Sequence, residues 1–272
     1  MSKKVYGMYF SGTGTTKKMV THIAKNLAEK INYDYESFDF TSPESRVEVK
    51  TFDKGDVVVL GTMVIAGRVP NLLIKYLNTL EGNGAFGIPI SMFGNRSVDD
   101  ALIELRNIME DDGFHTIGGG AFVGEHSFST ILGKGRPDKE DMEVADILVE
   151  KIAEKINTGN INDGPIEVVG ETPIRPHFTP RDRHDEAIDI RKVKPKTNDN
   201  CINCGFCSSS CPMGAIDKED VSLVPGVCMK CCKCVKCCPV GAKYFDDGPF
   251  IYHKEELEEL YNVRRASDEI FY

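Results

Sequence analysis

Cys228 to Pro239 reads CMKCCKCVKCCP, six cysteines in twelve residues. All ten cysteines of the 272-residue chain lie between Cys201 and Cys238. Cys201, Cys204, Cys207 and Cys211 are spaced C-x2-C-x2-C-x3-C, with Pro212 next. A shift of 27 residues reproduces the pattern at Cys228, Cys231, Cys234 and Cys238, with Pro239 next. CPMGA (211–215) against CPVGA (238–242) extends the match beyond cysteine, so the segment is an internal duplication. Cys232 and Cys237 fall outside it. Thiols this dense in a reducing compartment point to metal rather than to disulfides. Structural zinc takes four ligands in two separated pairs, which two runs of four do not match.

With its trailing proline, the run resembles that of two-[4Fe-4S] bacterial ferredoxins over about residues 198–250. Three close cysteines wrap three corners of a cube, and the fourth comes from the other half of the duplication. The resemblance implies one cluster on Cys201, Cys204, Cys207 and Cys238, and another on Cys228, Cys231, Cys234 and Cys211. Gly214 and Gly241 suit the tight turns after each proline. For Cys232 and Cys237 the reading is small packed side chains, with redox sensing as the alternative.

The first 157 residues have a different grain. KVYGMYF (4–10) is a strand, followed by a glycine-rich turn and a helix over about 15–30. In that helix Met19, Val20, Ile23, Ala24, Leu27 and Ile31 recur on one face. Strands follow at about 33–40, 56–62, 87–93 and 116–123, with helices at about 71–80, 98–111 and 138–156. DVVVLGT (56–62) is continuously apolar, as a strand buried on both faces must be. The alternation predicts an α/β domain: a doubly wound, five-stranded parallel sheet with right-handed crossovers.

The first turn reads SGTGTT: Ser11, Gly12, Thr13, Gly14, Thr15 and Thr16. Glycines admit a phosphate to the backbone, hydroxyls donate to it, and the helix N-terminus adds its positive end. The loop lacks the G-K-[ST] of a Walker A motif and is not GxGxxG. It resembles the FMN-phosphate loop of flavodoxins. Two more loops lie at the carboxyl ends of strands three and four, TMVIAGRVP (62–70) and FGNRSVDDAL (93–102). With GAFVGEHSFS (120–129) and KPKTNDNCINCGFC (194–207), they resemble a family of flavodoxin–ferredoxin fusion proteins. The resemblance spans nearly the whole chain. It implies FMN in a flavodoxin-like domain (1–157) and two [4Fe-4S] clusters in a small α+β, βαββαβ-type ferredoxin domain (198–250). Flavin contacts are then expected from Thr62, Met63, Val64, Ile65, Ala66 and Gly67, and from Phe93, Gly94, Asn95 and Arg96.

The chain departs from that family at Ile65, where an aromatic is common, and at Phe93, which replaces a tyrosine. It has no tryptophan. One flavin face is therefore left to aliphatic carbon or to a partner. Asn95 reads either as a flavin-edge contact or as turn chemistry. Arg68 and Arg96 read as counter-charges to reduced flavin or as surface residues. His126 is a candidate proton donor during flavin reduction, or a structural histidine.

Between the domains, 158–197 holds five prolines and the basic residues Arg175, Arg181, Arg183, Arg191, Lys192, Lys194 and Lys196. It reads as a stiffened tether or as a basic strap docked on an acidic domain. The extension 251–272 is expected to be one helix from near Lys254. The net charge of −9 argues against nucleic acid and anionic lipid. No run of about 18 apolar residues and no signal-like N-terminus is present, so the expectation is a cytoplasmic protein without membrane insertion. These readings converge on an electron-transfer iron–sulfur flavoprotein of anaerobic metabolism, working with redox partner proteins. The alternative is an FMN reductase acting on a small acceptor such as a quinone or nitro compound.

Overall fold

The structure is a computed structural model and describes residues 3–182, 184–267 and 269–272. Arg183 of the connector lies outside the described residues. The N-terminal part builds β1 (Lys4–Tyr9), α1 (Thr15–Ile31), β2 (Asp34–Asp39), β3 (Val57–Met63), α2 (Asn71–Leu77), β4 (Phe86–Phe93) and α3 (Ala101–Asp111). It continues with β5 (His115–Thr116), β6 (Gly119–Val123) and α4 (Lys139–Thr158). All pairings among β1 to β6 are parallel, and the order β2-β1-β3-β4-β6 is the 2-1-3-4-5 order of flavodoxin-like sheets. The fifth strand is split: β5 and β6 both pair with β4, and Ile117, whose N–H still donates to Gly87 O at 3.1 Å, and Gly118 lie between them outside both strands.

Helices cover both faces. On one, α1 lays down Met19, Val20, Ile23, Ala24 and Leu27 beside Ala145, Leu148 and Ile152 of α4, over Val57, Val59, Ile88 and Ile90. On the other, Leu73, Tyr76 and Leu77 of α2 and Leu105 and Met109 of α3 meet Met8, Phe10, Val58 and Leu60. Local chemistry sets the helix ends. Asp138 and Asp141 form a reciprocal capping box on α4, and Gly159 closes it at a φ of 71°. α3 starts three residues later than expected because Asp99 takes a φ of 46°.

The ferredoxin part carries β7 (Lys196–Thr197), α5 (Phe206–Ser209), α6 (Lys233–Lys236) and β8 (Lys243–Tyr244). β7 pairs antiparallel with β8, so this unit starts two residues before the expected boundary at 198. The expected middle hairpin is short and carries no named strand: Asp217 N–H donates to Leu223 O at 3.0 Å and Gly226 N–H to Ala215 O at 3.1 Å across a turn. The Asp217 carboxylate accepts the N–H groups of Glu219 and Asp220, and that of Asp220 accepts Ser222. Such local capture of N–H groups competes with a ladder.

The tail is not one helix. α7 spans Gly248–Leu260, opened by Asp247 accepting the N–H of Phe250. Chain residues 269–271 then form β9 (Glu269–Phe271), antiparallel to β6 at the edge of the large sheet. Among the described residues no helix is long and apolar enough to cross a membrane.

Candidate redox site

The SGTGTT loop enters α1 through Gly14, whose φ is 99°. Ser11 organises the loop: its Oγ accepts the N–H groups of Gly14 and Lys17 at 3.1 Å each, and its own N–H donates to Thr41 Oγ1 at 2.9 Å. Among the described residues the N–H groups of Gly12, Thr13, Thr15 and Thr16 have no acceptor. Free donors at a helix start, with Thr13 and Thr15 half-buried beside them, fit a phosphate monoester.

The two neighbouring loops brace each other. Ile65 and Arg68 exchange backbone hydrogen bonds at 3.0 and 3.1 Å around Ala66 and Gly67, both at positive φ, and Asp100 N–H donates to Gly67 O at 3.0 Å. Thr62, at the start of the first loop, carries a buried hydroxyl with no partner among the described residues. Asn95 is committed to the C-terminal tail. Its φ is 65°, its amide donates to Tyr261 O and Val263 O at 2.6 and 2.8 Å, and its oxygen accepts from Arg265 N. Arg68 is likewise committed within the protein, to both Glu104 oxygens at 2.6 and 2.8 Å and to Arg175 O. Arg96 pairs with Asp99 and lies 4.1 Å over the ring of Phe178.

His126 lies against Gly94 so closely that a β-carbon there would strike the imidazole. Its Nδ1 accepts the N–H of Phe128 at 3.1 Å, which leaves the ring proton on Nε2. Burial first, then the Lys236 ammonium, pushes its pKa down to about 4. Neutral imidazole is a poor acid near pH 7, so the proton-donor reading of His126 loses its physical basis.

The duplication is visible in three dimensions. α5 and α6 occupy equivalent positions in the two repeats, Gly214 and Gly241 take φ of 57° and 62°, and the N–H groups of Ala215 and Ala242 donate to Cys211 Sγ and Cys238 Sγ at 3.3 and 3.2 Å. Cys201, Cys204, Cys207 and Cys238 together line one small, open cavity. In the second set, the thiols of the buried Cys231 and the half-buried Cys234 are pushed up to about 11 and 12. Burial is the main cause, and mutual repulsion that includes Cys211 adds to it. Binding iron to this set therefore releases protons. Burial would also raise Cys238, yet the N–H groups of Val240, Ala242, Lys243 and Gly241 hold it below its ordinary value. Among the described residues no three His, Cys, Asp or Glu side chains converge as a single ion would need. Four thiols around one cavity match the one thiolate per iron that a cube takes, so the first donor set fits the cluster.

Cys232 stands where the first repeat has Gly205, and both take positive φ, 56° and 70°. It is buried against Val193 and Phe250. Cys237 is exposed at the end of α6. Changing both to serine is expected to leave the iron content unaltered. The buried hydroxyl at 232 is expected to cost about 1–3 kcal/mol of stability. Iron analysis beside thermal melts checks this, and loss of half the iron would show that one of the two is a ligand.

The second cysteine set is seated on the flavodoxin-like domain. A β-carbon on Gly12 would lie 2.9 Å from Cys231 Cβ and 3.6 Å from its Sγ. Met229 and Cys231 are buried in the same apolar cluster as Phe10, Phe40 and Tyr76, with Ile65 and Met213 packed on it. Arg46 bridges the two units, donating to Phe40 O, Thr41 O and Pro212 O at 2.6–2.9 Å. From α6, Lys236 donates to Glu125 Oε1 and His126 O at 2.6 and 2.7 Å. Sequence reasoning missed these seats, because single residues without a motif make them.

The connector is docked by some of its expected cations, Arg175, Lys194 and Lys196, and not by Arg181 or Arg191. Arg175 grips the buried Asp100 carboxylate, which it holds at about 2, and the Phe178 N–H donates to Ala66 O at 2.8 Å. Arg181 and Arg191 instead pair locally with Asp185 and Asp189, while Lys194 and Lys196 reach Val224 O and Asp246 of the ferredoxin unit.

Residues 195–217 match the family Fer4, described as a 4Fe-4S binding domain. No curated protein matches the chain. Among solved structures, an archaeal flavodoxin is similar at 18% identity and a TM-score of 0.40, covering 57% of this chain and 99% of its own. Oxidised flavodoxin 1 from Bacillus cereus has 15% identity and a TM-score of 0.38, covering 57% and 98%. Rubredoxin oxygen:oxidoreductase from Desulfovibrio gigas has 15% and 0.42, covering 57% and 36%. Likenesses this weak add no argument of their own. The sheet order and the Fer4 match carry the conclusion: this chain is a flavodoxin-like α/β domain fused to a ferredoxin-type 4Fe-4S domain.

Proposed function

We propose that the protein is an electron-transfer iron–sulfur flavoprotein of anaerobic metabolism in a reducing cytoplasm. In this reading FMN lies on the N-terminal domain and two [4Fe-4S] clusters lie in the C-terminal one. The observation that carries it is the contact of Gly12, in the phosphate loop, with Cys231, a ligand of the second cysteine set. When bound, the flavin exchanges one or two electrons and each cube exchanges one. The free N–H groups from Gly12 to Thr16 hold the phosphate, and the 62–67 and 93–96 loops flank the ring. Met213, Met229 and Ile65 exclude water between the two centres. The strap from Arg175 to Phe178 over Ala66 closes the loop that Ile65 leaves without an aromatic. This favours a carrier over a reductase with an open flavin face.

Anaerobic purification with cofactor analysis tests the reading. About one FMN and about eight irons per chain are expected. FAD, or a chain that stays colourless on refilling with FMN, would refute the flavin assignment, and about four irons would refute the second cluster. Cluster-to-flavin transfer, followed by stopped flow, is expected to be independent of protein concentration, because fusion fixes the effective concentration. A rate that scales with concentration would mean that each domain serves an outside partner instead.

A further inference from the structure

The two cysteine sets face different surroundings. Cys231 is 7% exposed and lies under the phosphate loop, whereas Cys204 is exposed to solvent. Among the described residues, the cavity of Cys201, Cys204, Cys207 and Cys238 is lined by residues from 201 to 243 and by none of the flavodoxin-like domain. Its rim is apolar and open: Ile202 is 62% exposed, Phe206 40% and Val240 37%. Desolvating these side chains stabilises by about 25 cal/mol per Å² of apolar area removed from water.

Acidic residues flank this apolar rim along the chain. Val221, in the cavity wall, follows a turn bearing Asp217, Glu219 and Asp220, and exposed Asp199 precedes Cys201. Lys218 is the one cation within that turn. Lys243, also in the wall, turns its ammonium inward onto Val221 O. An apolar patch over a redox centre, with an acidic flank, complements a partner whose own redox edge is apolar and ringed by lysine or arginine.

We propose that the Ile202–Phe206–Val240 rim is the docking surface for a basic one-electron carrier protein. Electrons then cross between proteins at the Cys204 end and reach the flavin only through the Cys231 end. This rests on the cluster ligation proposed above. Each crossing oxidises the donor centre by one electron and reduces the acceptor centre by one, with no proton moved and no bond made.

Ferric cytochrome c, with an apolar haem edge inside a ring of lysines, is the probe. Its binding to the oxidised protein is read by calorimetry at low salt, and its reduction by the dithionite-reduced protein is read by stopped flow. I202K/F206K is expected to weaken binding at least tenfold and to slow cytochrome reduction equally, with iron content and reduction by dithionite unchanged. D199K/E219K, which leaves the apolar rim intact, is expected to act in the same direction, as is raising salt from about 20 to 200 mM for the parent protein. E150K, on the far helix α4, is expected to change neither. Unchanged binding in both rim variants, or an equal loss in E150K, would overturn the proposal. Protein depleted of FMN is expected to dock and reduce cytochrome as before, so failure of the flavin assignment is told apart from failure of the docking surface.

Discussion

Gly12→Val is expected to disconnect the two redox domains while each still folds. The β-carbon would fall 2.9 Å from Cys231 Cβ, and its two methyl groups have no space beyond it. Overpacking of this kind costs about 1–3 kcal/mol, and each 1.4 kcal/mol is about tenfold in an equilibrium constant. FMN affinity is expected to fall about 10- to 100-fold, because the phosphate loop must shift to relieve the contact. Cluster-to-flavin transfer is expected to slow by at least tenfold. Thr13→Ala provides the contrast: it removes a hydroxyl from the loop without touching Cys231. It is expected to weaken FMN while leaving transfer in the refilled protein unchanged. Titration of the flavin-free protein and stopped flow read both quantities. A Gly12→Val protein with parental transfer would show that the Gly12–Cys231 contact does not couple the centres.

Stability is expected to fall on mild acidification, and the domain junction is the cause. His126 and His253 both have pKa values pushed down to about 4, mainly by burial, with Lys236 and Arg96 adding repulsion. The unfolded chain takes up these protons near pH 6.5 and the folded one only near 4. Their contribution is therefore complete above about 6.5 and is lost as the pH falls towards 4. At about 1.4 kcal/mol per pH unit, each histidine accounts for about 3 kcal/mol at most. Asp112 works against them. Burial, and then Asp111, pushes it up to about 7, so its contribution grows as the pH falls from 7 towards 3.8. The sum is a net loss of about 2–3 kcal/mol. A fall of about 4–12 °C in Tm between pH 7 and 4.5 is then expected. His253→Phe, which keeps the ring contacts to Phe128 and Phe178, is expected to flatten the slope or reverse it through Asp112. A melting temperature that keeps the parental slope in that variant would assign the acid loss to other groups.

Most of the α/β half was legible because its signals are long and local. DVVVLGT can only be a strand buried on both faces, and the 3.6-residue recurrence from Met19 to Ile31 is reproduced in the buried face of α1. The cysteine duplication was legible by arithmetic, and the fold repeats it in α5 and α6. What escaped depends on contacts distant in sequence. Glu269 to Phe271 has no strand signature, and it is a strand because the β6 edge accepts it. The expected ferredoxin hairpin shortens to two backbone bonds around a turn that the Asp217 carboxylate organises, so no strand is named there. Composition marked the connector as basic. Which cation docks it depends on the buried Asp100 carboxylate meeting Arg175, 75 residues further on.

β9 makes the connectivity of this molecule a loop rather than a string. The chain leaves the flavodoxin-like sheet after α4, builds the whole cysteine-bearing unit, and returns to pair antiparallel with residues 119–121 of β6. The metal-binding unit is thus held as an insertion, anchored at both ends in the same sheet. Clipping the gene before residue 198 would not release a self-sufficient flavin module. It would strip the cover from an apolar parallel edge, which invites pairing between molecules. Cysteines that fail to take up iron would leave a poorly folded unit between two strands of one sheet, so on the proposed reading the flavodoxin-like half is expected to lose order with iron supply.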